Sequence, residues 1–583
     1  MRRDGFYHSA FVLQKPNRTL LSLYGTFADR LYQVIFERSL KKEKLMLKST
    51  ALNLTDRQQS FAALGAETFD VLIIGAGITG CGIARDAAMR GLRTVLIDAG
   101  DIAAGTSSRS SKLIHGGLRY LAQGQVSVVR EAANERRTLR RIAPHLSQTI
   151  PMVIPTSSKK ATAGFRAVMW SYEKLGKVDK SERHEIWDLE QLQTEEPAVV
   201  KGKHNGAVVY PEYLTDDTRL TLANARSAAA HGALVVTYAA AEQLLMENGI
   251  ATGAEIRSTL PGHNQQVLVQ AKIVVNAAGP WVDIVRQMED SKAKKKLQLT
   301  KGIHLVFSQK RLPVRRTIIW NAPDGRSIFA VRRGEFVYLG TTDTFYPQPN
   351  YRPEITREDI NYLLDSANQI FDIEPLTTED VVSLWSGLRP LLGSEGKSPS
   401  EISRRDEVMK GPGGVTAIAG GKLTSYRSMA SRLVDLCEKQ LGCKPTPALT
   451  EKEPLPGGDF KESLAELTAK VASLGLSPLE AERAARLYGS EALELFARDK
   501  GPAVEAAFAV THEGALTLED YWVRRSSRAC FDQNGGMDTL EPAANAMADL
   551  LGWTGEERNR QIDVCRQQRE EDLKLLKTPK GKI

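Results

Sequence analysis

Residues 69–121 read FDVLIIGAGITGCGIARDAAMRGLRTVLIDAGDIAAGTSSRSSKLIHGGLRYL. The apolar run 71–74 is short enough for a buried parallel strand. It leads at once into Gly75-Ala76-Gly77-Ile78-Thr79-Gly80, whose glycines keep G-x-G-x-x-G spacing. In that arrangement Gly75 permits a tight turn, Gly77 lets the backbone approach a pyrophosphate, and Gly80 allows close packing of helix on strand. Residues 81–90 are small and helix-compatible, with Gly91 as a stop. A second apolar strand, 94–97, ends on Asp98, near the distance of about 20 residues at which a carboxylate accepts the ribose hydroxyls of an adenine dinucleotide. An acid there repels a 2′-phosphate and argues against NADP.

The glycine motif does not separate NAD from FAD; the residues after it do, by resemblance. Thr106-Ser107-Ser108 and the run Ser111-Lys112-Leu113-Ile114-His115-Gly116-Gly117-Leu118-Arg119-Tyr120-Leu121 resemble the signature of the FAD-dependent glycerol-3-phosphate dehydrogenases. These belong to a larger group of flavin oxidoreductases related to D-amino-acid oxidase. Asn276-Ala277-Ala278-Gly279-Pro280-Trp281, Lys301-Gly302-Ile303-His304, Gly340-Thr341-Thr342-Asp343, Ser386-Gly387-Leu388-Arg389-Pro390-Leu391 and Gly420-Gly421-Lys422-Leu423-Thr424-Ser425-Tyr426-Arg427 follow in the family's order. The resemblance is close over 69–427 and looser beyond. It implies FAD as cofactor and oxidation of sn-glycerol 3-phosphate to dihydroxyacetone phosphate by hydride transfer to FAD. It also implies an α/β fold: a Rossmann-like FAD-binding domain with an inserted antiparallel-sheet substrate domain, plus an α-helical C-terminal domain.

Carried over residue by residue, the resemblance gives a cofactor set of Gly75, Ala76, Gly77, Ile78, Thr79, Gly80, Asp98, Thr106, Ser107, Ser111, Leu113, His115, Gly117, Ala278, Gly279, Gly421, Lys422, Leu423 and Thr424. A phosphate dianion calls for guanidinium forks. Arg119 with Tyr120 beside it, Arg389 and Arg404 resemble the family's substrate-site positions, although Arg405 leaves the register at Arg404 open. A proton acceptor near neutral pH points first to histidine. His304 matches the family position; Arg389 polarising the substrate oxygen is the alternative, and the residues do not decide which group takes the proton. Gly420-Gly421 after the apolar run 415–419, followed by Lys422, offers backbone N–H groups and a cation to the charge a flavin gains. A plain left-handed turn with a solvated lysine is the other reading. The catalytic set is therefore His304, Arg389 and Lys422, with no metal site.

At 583 residues the chain holds two or three domains, and 42% hydrophobic with 25% charged residues is ordinary for a globular protein. The net charge of +8 suits anionic substrates or an anionic membrane surface, and with no nucleic-acid module present it does not point to nucleic acid. Five scattered cysteines without a CxxC pair argue against disulfides or zinc and suit a reducing cytosol. The expected layout is an N-terminal extension at 1–67, disordered or interfacial; FAD-binding segments at 68–149, 206–296 and 386–445; substrate-domain segments at 150–205 and 297–385; and a helical domain at 446–583. Tyr210-Pro211-Glu212-Tyr213 reads as the opening of a helix.

Residues 20–36 could line one helical face, and Met46 is a natural start. No apolar run approaches the roughly 18 residues that cross a bilayer, so membrane contact would be peripheral, at the inner face of the cytoplasmic membrane. Lys292, Lys294, Lys295 and Lys296, or the run Arg524, Arg525 and Arg528, could meet anionic lipid. The relatives pass electrons to membrane quinone or to oxygen; the oxidases carry an insertion not evident here, so resemblance favours quinone. An FAD oxidase of a related hydroxy or amino acid, or a flavin-binding protein without turnover, are the alternatives. A homodimer is compatible with the sequence, which does not fix the assembly.

Overall fold

A computed structural model describes residues 50–116, 126–176, 178–393 and 406–577. The segment 20–36 lies outside them. Two sheets organise the described residues.

In the first sheet, Phe69–Ile74 pairs in parallel with Thr94–Ile97 on one side and Gln266–Asn276 on the other. Leu234–Val236 and Thr416–Ala419 extend it in parallel outward, and Glu407–Lys410 closes the edge antiparallel. Both faces are covered, which is why these strands are continuous apolar runs. Val71, Ile73, Leu96 and Val275 pack with Ile83 and Leu433 of the helices Ile78–Met89 and Tyr426–Gln440. Leu72, Val95 and Val274 pack with Phe61 and Leu64 of the helix Arg57–Gly65. Residues 52–64, expected within an extension, are part of this packing: Leu52, Leu54, Phe61 and Leu64 are buried. The charge-rich composition around this short apolar stretch had masked it.

The carboxyl ends of the parallel strands deliver Gly75, Asp98, Ala277 and Gly420 to one edge. There the strand order departs to either side of Phe69–Ile74, leaving the crevice in which doubly wound sheets bind ligands.

The second sheet centres on Leu297–Ser308, antiparallel to Val381–Leu392 on one side and Phe336–Gly340 on the other. It continues through Ser327–Arg333, Thr317–Asn321, Gln148–Thr156 and Gly206–Leu214 to Leu113–Ile114. Ile303, Leu305 and Leu339 face the helix Arg357–Ile370, where they pack on Ile360, Leu363 and Leu364. By the two-residue period of a strand, His304 and its neighbours project from the opposite face.

Tyr210-Pro211-Glu212-Tyr213 is strand, not the opening of a helix. It belongs to Gly206–Leu214, and the helix Asp217–Ala230 begins later, capped by Asp216, whose carboxylate accepts the Arg219 N–H at 3.0 Å. A proline followed by acids imitates a helix start. Here Pro211 lies opposite Pro151, and the run 207–210 continues the ladder through it.

Beyond residue 447 helices dominate, among them Pro478–Tyr488, Pro502–Glu513, Leu540–Leu551 and Gly555–Lys577. Arg524, Arg525 and Arg528 are buried here and cannot face lipid. Arg524 and Arg525 bind Asp101, and Arg528 binds Glu505 at 3.0 Å. Asp101 is distant in sequence, so a charge run cannot reveal it, while Asp520 and Asp532 add local partners for Arg524 and Arg528. Lys292, Lys294, Lys295 and Lys296 are exposed.

Candidate active site

Gly75 has φ +111°, and a Cβ there would lie 2.6 Å from the Ala277 carbonyl oxygen, so the glycine turn and the Ala277 turn press together at the sheet edge. The helix after the turn starts on Gly77 with no side-chain cap, leaving its first turn suited to an anion. The Ser107 hydroxyl accepts the Ile78 N–H at 2.9 Å, bringing the 106–108 turn onto this helix start. Asp98 accepts the Ala76 N–H at 2.6 Å and the Gly100 N–H at 2.8 Å. A carboxylate has about four acceptor sites, so capacity remains for ribose hydroxyls. Burial pushes the Asp98 carboxyl up to about 6 against those two N–H groups. Gly279, at φ +54°, borders open space.

On the second sheet His304 lies directly between Trp385 and Gly340 on the neighbouring strands. Its ring stacks on Trp385 at 4.5 Å and 11°, and a Cβ at Gly340 would strike it. Two residues earlier Gly302 faces Gly387, and a Cβ at Gly302 would strike the Arg389 guanidinium. At Gly387 a Cβ would come 2.6 Å from the Arg109 carbonyl oxygen. Three glycines on three adjacent strands thus make a floor from which His304, Trp385 and Arg389 rise.

The 106–114 segment crosses this floor and is stitched to it. The Thr106 hydroxyl donates to the Leu388 carbonyl at 2.7 Å, and Tyr338 donates to the Ser111 carbonyl at 2.9 Å. The Ser111 hydroxyl lies 2.9 Å from His304 Nε2, while Nδ1 is buried with no hydrogen-bond partner among the described residues. Burial, then Arg389, then Lys112 hold the imidazole pKa well below 6.5, so it is neutral at physiological pH. Arg389 donates to Thr341 Oγ1 at 2.9 Å and pairs with Asp343 at 3.1 Å, with its side chain 22% exposed.

Gly420 and Gly421 both have positive φ, +75° and +80°. They swing the chain into Lys422 and the 3-10 turn Leu423–Ser425 ahead of the helix Tyr426–Gln440. Lys422 Nζ is buried rather than solvated, and its charge acts on Glu212. Thr424 Oγ1 donates to the His115 carbonyl at 3.4 Å. The structure therefore brings Ser111, Leu113, His115, His304 and Arg389 to one junction between the sheets, with Lys422 and Thr424 against the His115 loop. Gly117, Arg119, Tyr120 and Arg404 lie outside the described residues.

Sequence reasoning missed Glu212, which accepts the Gly116 N–H with both oxygens (3.0 and 2.9 Å) and pairs with Arg136 at 3.3 Å. It also missed Trp385. Neither carries a motif of its own; each is placed by strand register. Arg109 was likewise passed over, although burial and the Arg352 charge lower its pKa to about 10.

Residues 70–427 match the family described as FAD dependent oxidoreductase, and residues 448–558 match the C-terminal domain of alpha-glycerophosphate oxidase. The chain belongs to the FAD-dependent oxidoreductase family. This flavoprotein is 38% identical over 537 residues, 87% of its length and 96% of the relative's, to the aerobic glycerol-3-phosphate dehydrogenase of Bacillus subtilis (strain 168). It is 38% identical over 529 residues to the enzyme of that name from Staphylococcus aureus (strain USA300), covering 86% of this chain and 95% of the relative. It superposes with TM-score 0.74 and 33% identity on a glycerol-3-phosphate dehydrogenase from Bacillus halodurans complexed with FAD, over 91% of this chain and 99% of that one.

FAD fits the residues present in the flavoprotein. The uncapped helix start at Gly77 suits the pyrophosphate, and the Asp98 carboxylate suits the ribose. Open space beside Gly279 borders the same sheet edge.

Proposed function

We propose that this flavoenzyme oxidises sn-glycerol 3-phosphate to dihydroxyacetone phosphate and passes the electrons to membrane quinone. The observation that carries the reaction is the pairing of a buried, neutral His304 with the Arg389 cation on one glycine floor. The names of relatives that match across 95% or more of their own length support it. FAD, when bound, supplies the hydride acceptor. The chain's part is to hold the alcohol, neutralise its phosphate and take the hydroxyl proton. His304, kept neutral by burial and two nearby cations, accepts that proton. Arg389 draws charge toward the substrate oxygen, and we assign the phosphate to Arg119, Tyr120 and Arg404. Lys422 and the amides after Gly421 balance the charge the cofactor gains.

The lipid-facing part of this proposal rests on the helix Lys159–Gly176. It carries Trp170, 59% exposed, with Arg166 and Lys174 one turn to either side and the Lys174 ammonium 5.0 Å from the Trp170 ring. An exposed aromatic flanked by cations suits the interface of an anionic bilayer. Among the described residues no helix is long and apolar enough to cross a membrane.

Anaerobic addition of glycerol 3-phosphate should bleach the flavin; an unchanged spectrum would sink the reaction. Reoxidation by a quinone should be faster than by oxygen and faster still on anionic vesicles. Oxygen outrunning quinone under all conditions would favour the oxidase reading.

A further inference from the structure

We infer that a single stretch of the helical C-terminal region, Arg524 to Phe531, is a positioning brace for both ends of the FAD site. Asp101 marks the first end. It sits three residues beyond Asp98, in a turn already tied to the glycine motif by the Asp98 carboxylate and by the Ala103 N–H donating to the Ala76 carbonyl at 3.0 Å. The Asp101 carboxylate is fully enclosed. One of its oxygens receives Arg524 Nε at 2.6 Å together with Arg525 Nη1, and the other receives Arg525 Nη2 at 2.8 Å. Consecutive residues of an α-helix point apart; here Asp520–Arg525 forms a π-helical turn, whose wider winding brings both guanidinium groups to one carboxylate. Arg525 also donates to the Glu513 carbonyl at 2.8 Å, so the ion pair is anchored in the C-terminal helices.

The second end is reached only a few residues later. The Cys530 carbonyl accepts the Ser383 hydroxyl at 2.8 Å, locking the stretch onto the strand that carries Trp385 and Arg389. The Phe531 ring meets Trp385 at 5.7 Å and Tyr338 at 5.9 Å. Trp385 in turn stacks on His304, and Tyr338 holds the Ser111 carbonyl. Phe531 therefore backs the two aromatic residues that fix His304, without touching the reacting groups itself. One short segment thus sets the ribose turn through Arg525 and the imidazole through Phe531. The Arg525 arm stands on the cofactor alone; the Phe531 arm rests on the reaction proposed above.

Two full-length variants test this. FAD-stripped Arg525→Lys keeps the charge but loses the fork, and should bind FAD roughly tenfold more weakly. Phe531→Leu should hold FAD with little change but lower the rate of flavin bleaching at saturating glycerol 3-phosphate roughly tenfold, with KM unchanged. Its acid limb should move to higher pH as the imidazole hydrates, and Phe531→Trp should restore the rate. Wild-type FAD affinity in Arg525→Lys would overturn the brace. So would a Phe531→Leu loss that tracks only a lowered melting temperature, with the pH profile unmoved. Should Arg525→Lys fail to fold, Asp101→Asn gives the same reading. If glycerol 3-phosphate does not bleach the wild-type flavin, the proposed reaction fails and the FAD titration decides the brace.

Discussion

The Ser111 hydroxyl lies 2.9 Å from Nε2 of His304, joining the 106–114 segment to the proposed base on the second sheet. This contact fixes the ring that Trp385 supports from below. Ser111→Ala should lower the rate of flavin bleaching roughly tenfold with little change in KM, since orientation rather than binding is lost. His304→Asn should cost on the order of a hundredfold or more while FAD stays bound. Anaerobic stopped-flow mixing with glycerol 3-phosphate checks both.

The pH profile carries its own expectation. As the proposed base, His304 would work when neutral, and its pKa is held well below 6.5 by burial first and Arg389 second. Activity should therefore stay flat as pH falls through the ordinary histidine range and drop only below it. In Arg389→Gln the residual activity should show its acid limb at higher pH, because a repelling cation is gone. Arg389→Lys should leave the limb in place, although the rate falls.

If Asp98 holds the ribose as proposed, FAD binding itself should be pH-dependent. Its carboxyl is raised to about 6 by burial, so it is ionised above that pH and protonated below it. Affinity for FAD should be steady above about pH 7 and weaken by up to roughly tenfold per pH unit below about 6. Asp98→Asn should bind more weakly and flatten the profile. Fluorescence titration of FAD-stripped protein gives the answer.

Glu212 and Arg136 form a buried pair beneath the Gly116 turn. Glu212→Ala should destabilise the protein by about 3–5 kcal/mol by leaving the guanidinium uncompensated. The double variant Glu212→Leu, Arg136→Met should recover most of that stability in urea unfolding. Its turnover should stay low, because the Gly116 N–H has lost both carboxylate oxygens that held it.

The parallel sheet was legible because each part of its motif answers to a local constraint: the run 71–74, the positive φ of Gly75 and the acid closing the second strand. Gly420 and Gly421 were legible for the same reason, both adopting left-handed backbone. What could not be read lies in register and in distant pairing. Glu212 looked like part of a helix start because Pro211 and the acids near it imitate one. Arg524, Arg525 and Arg528 looked like a solvent-facing cluster because Asp101, about 420 positions away, is the partner of the first two and buried Glu505 that of the third. Trp385 offered no signal, since its role depends on standing opposite His304 across two strands.

Gly302, Gly340 and Gly387 give the chamber a base defined by missing side chains. Material cannot be added there without displacing Arg389, His304 or the Arg109 backbone. Engineered changes of selectivity should therefore succeed in the crossing segments rather than at these three bare positions.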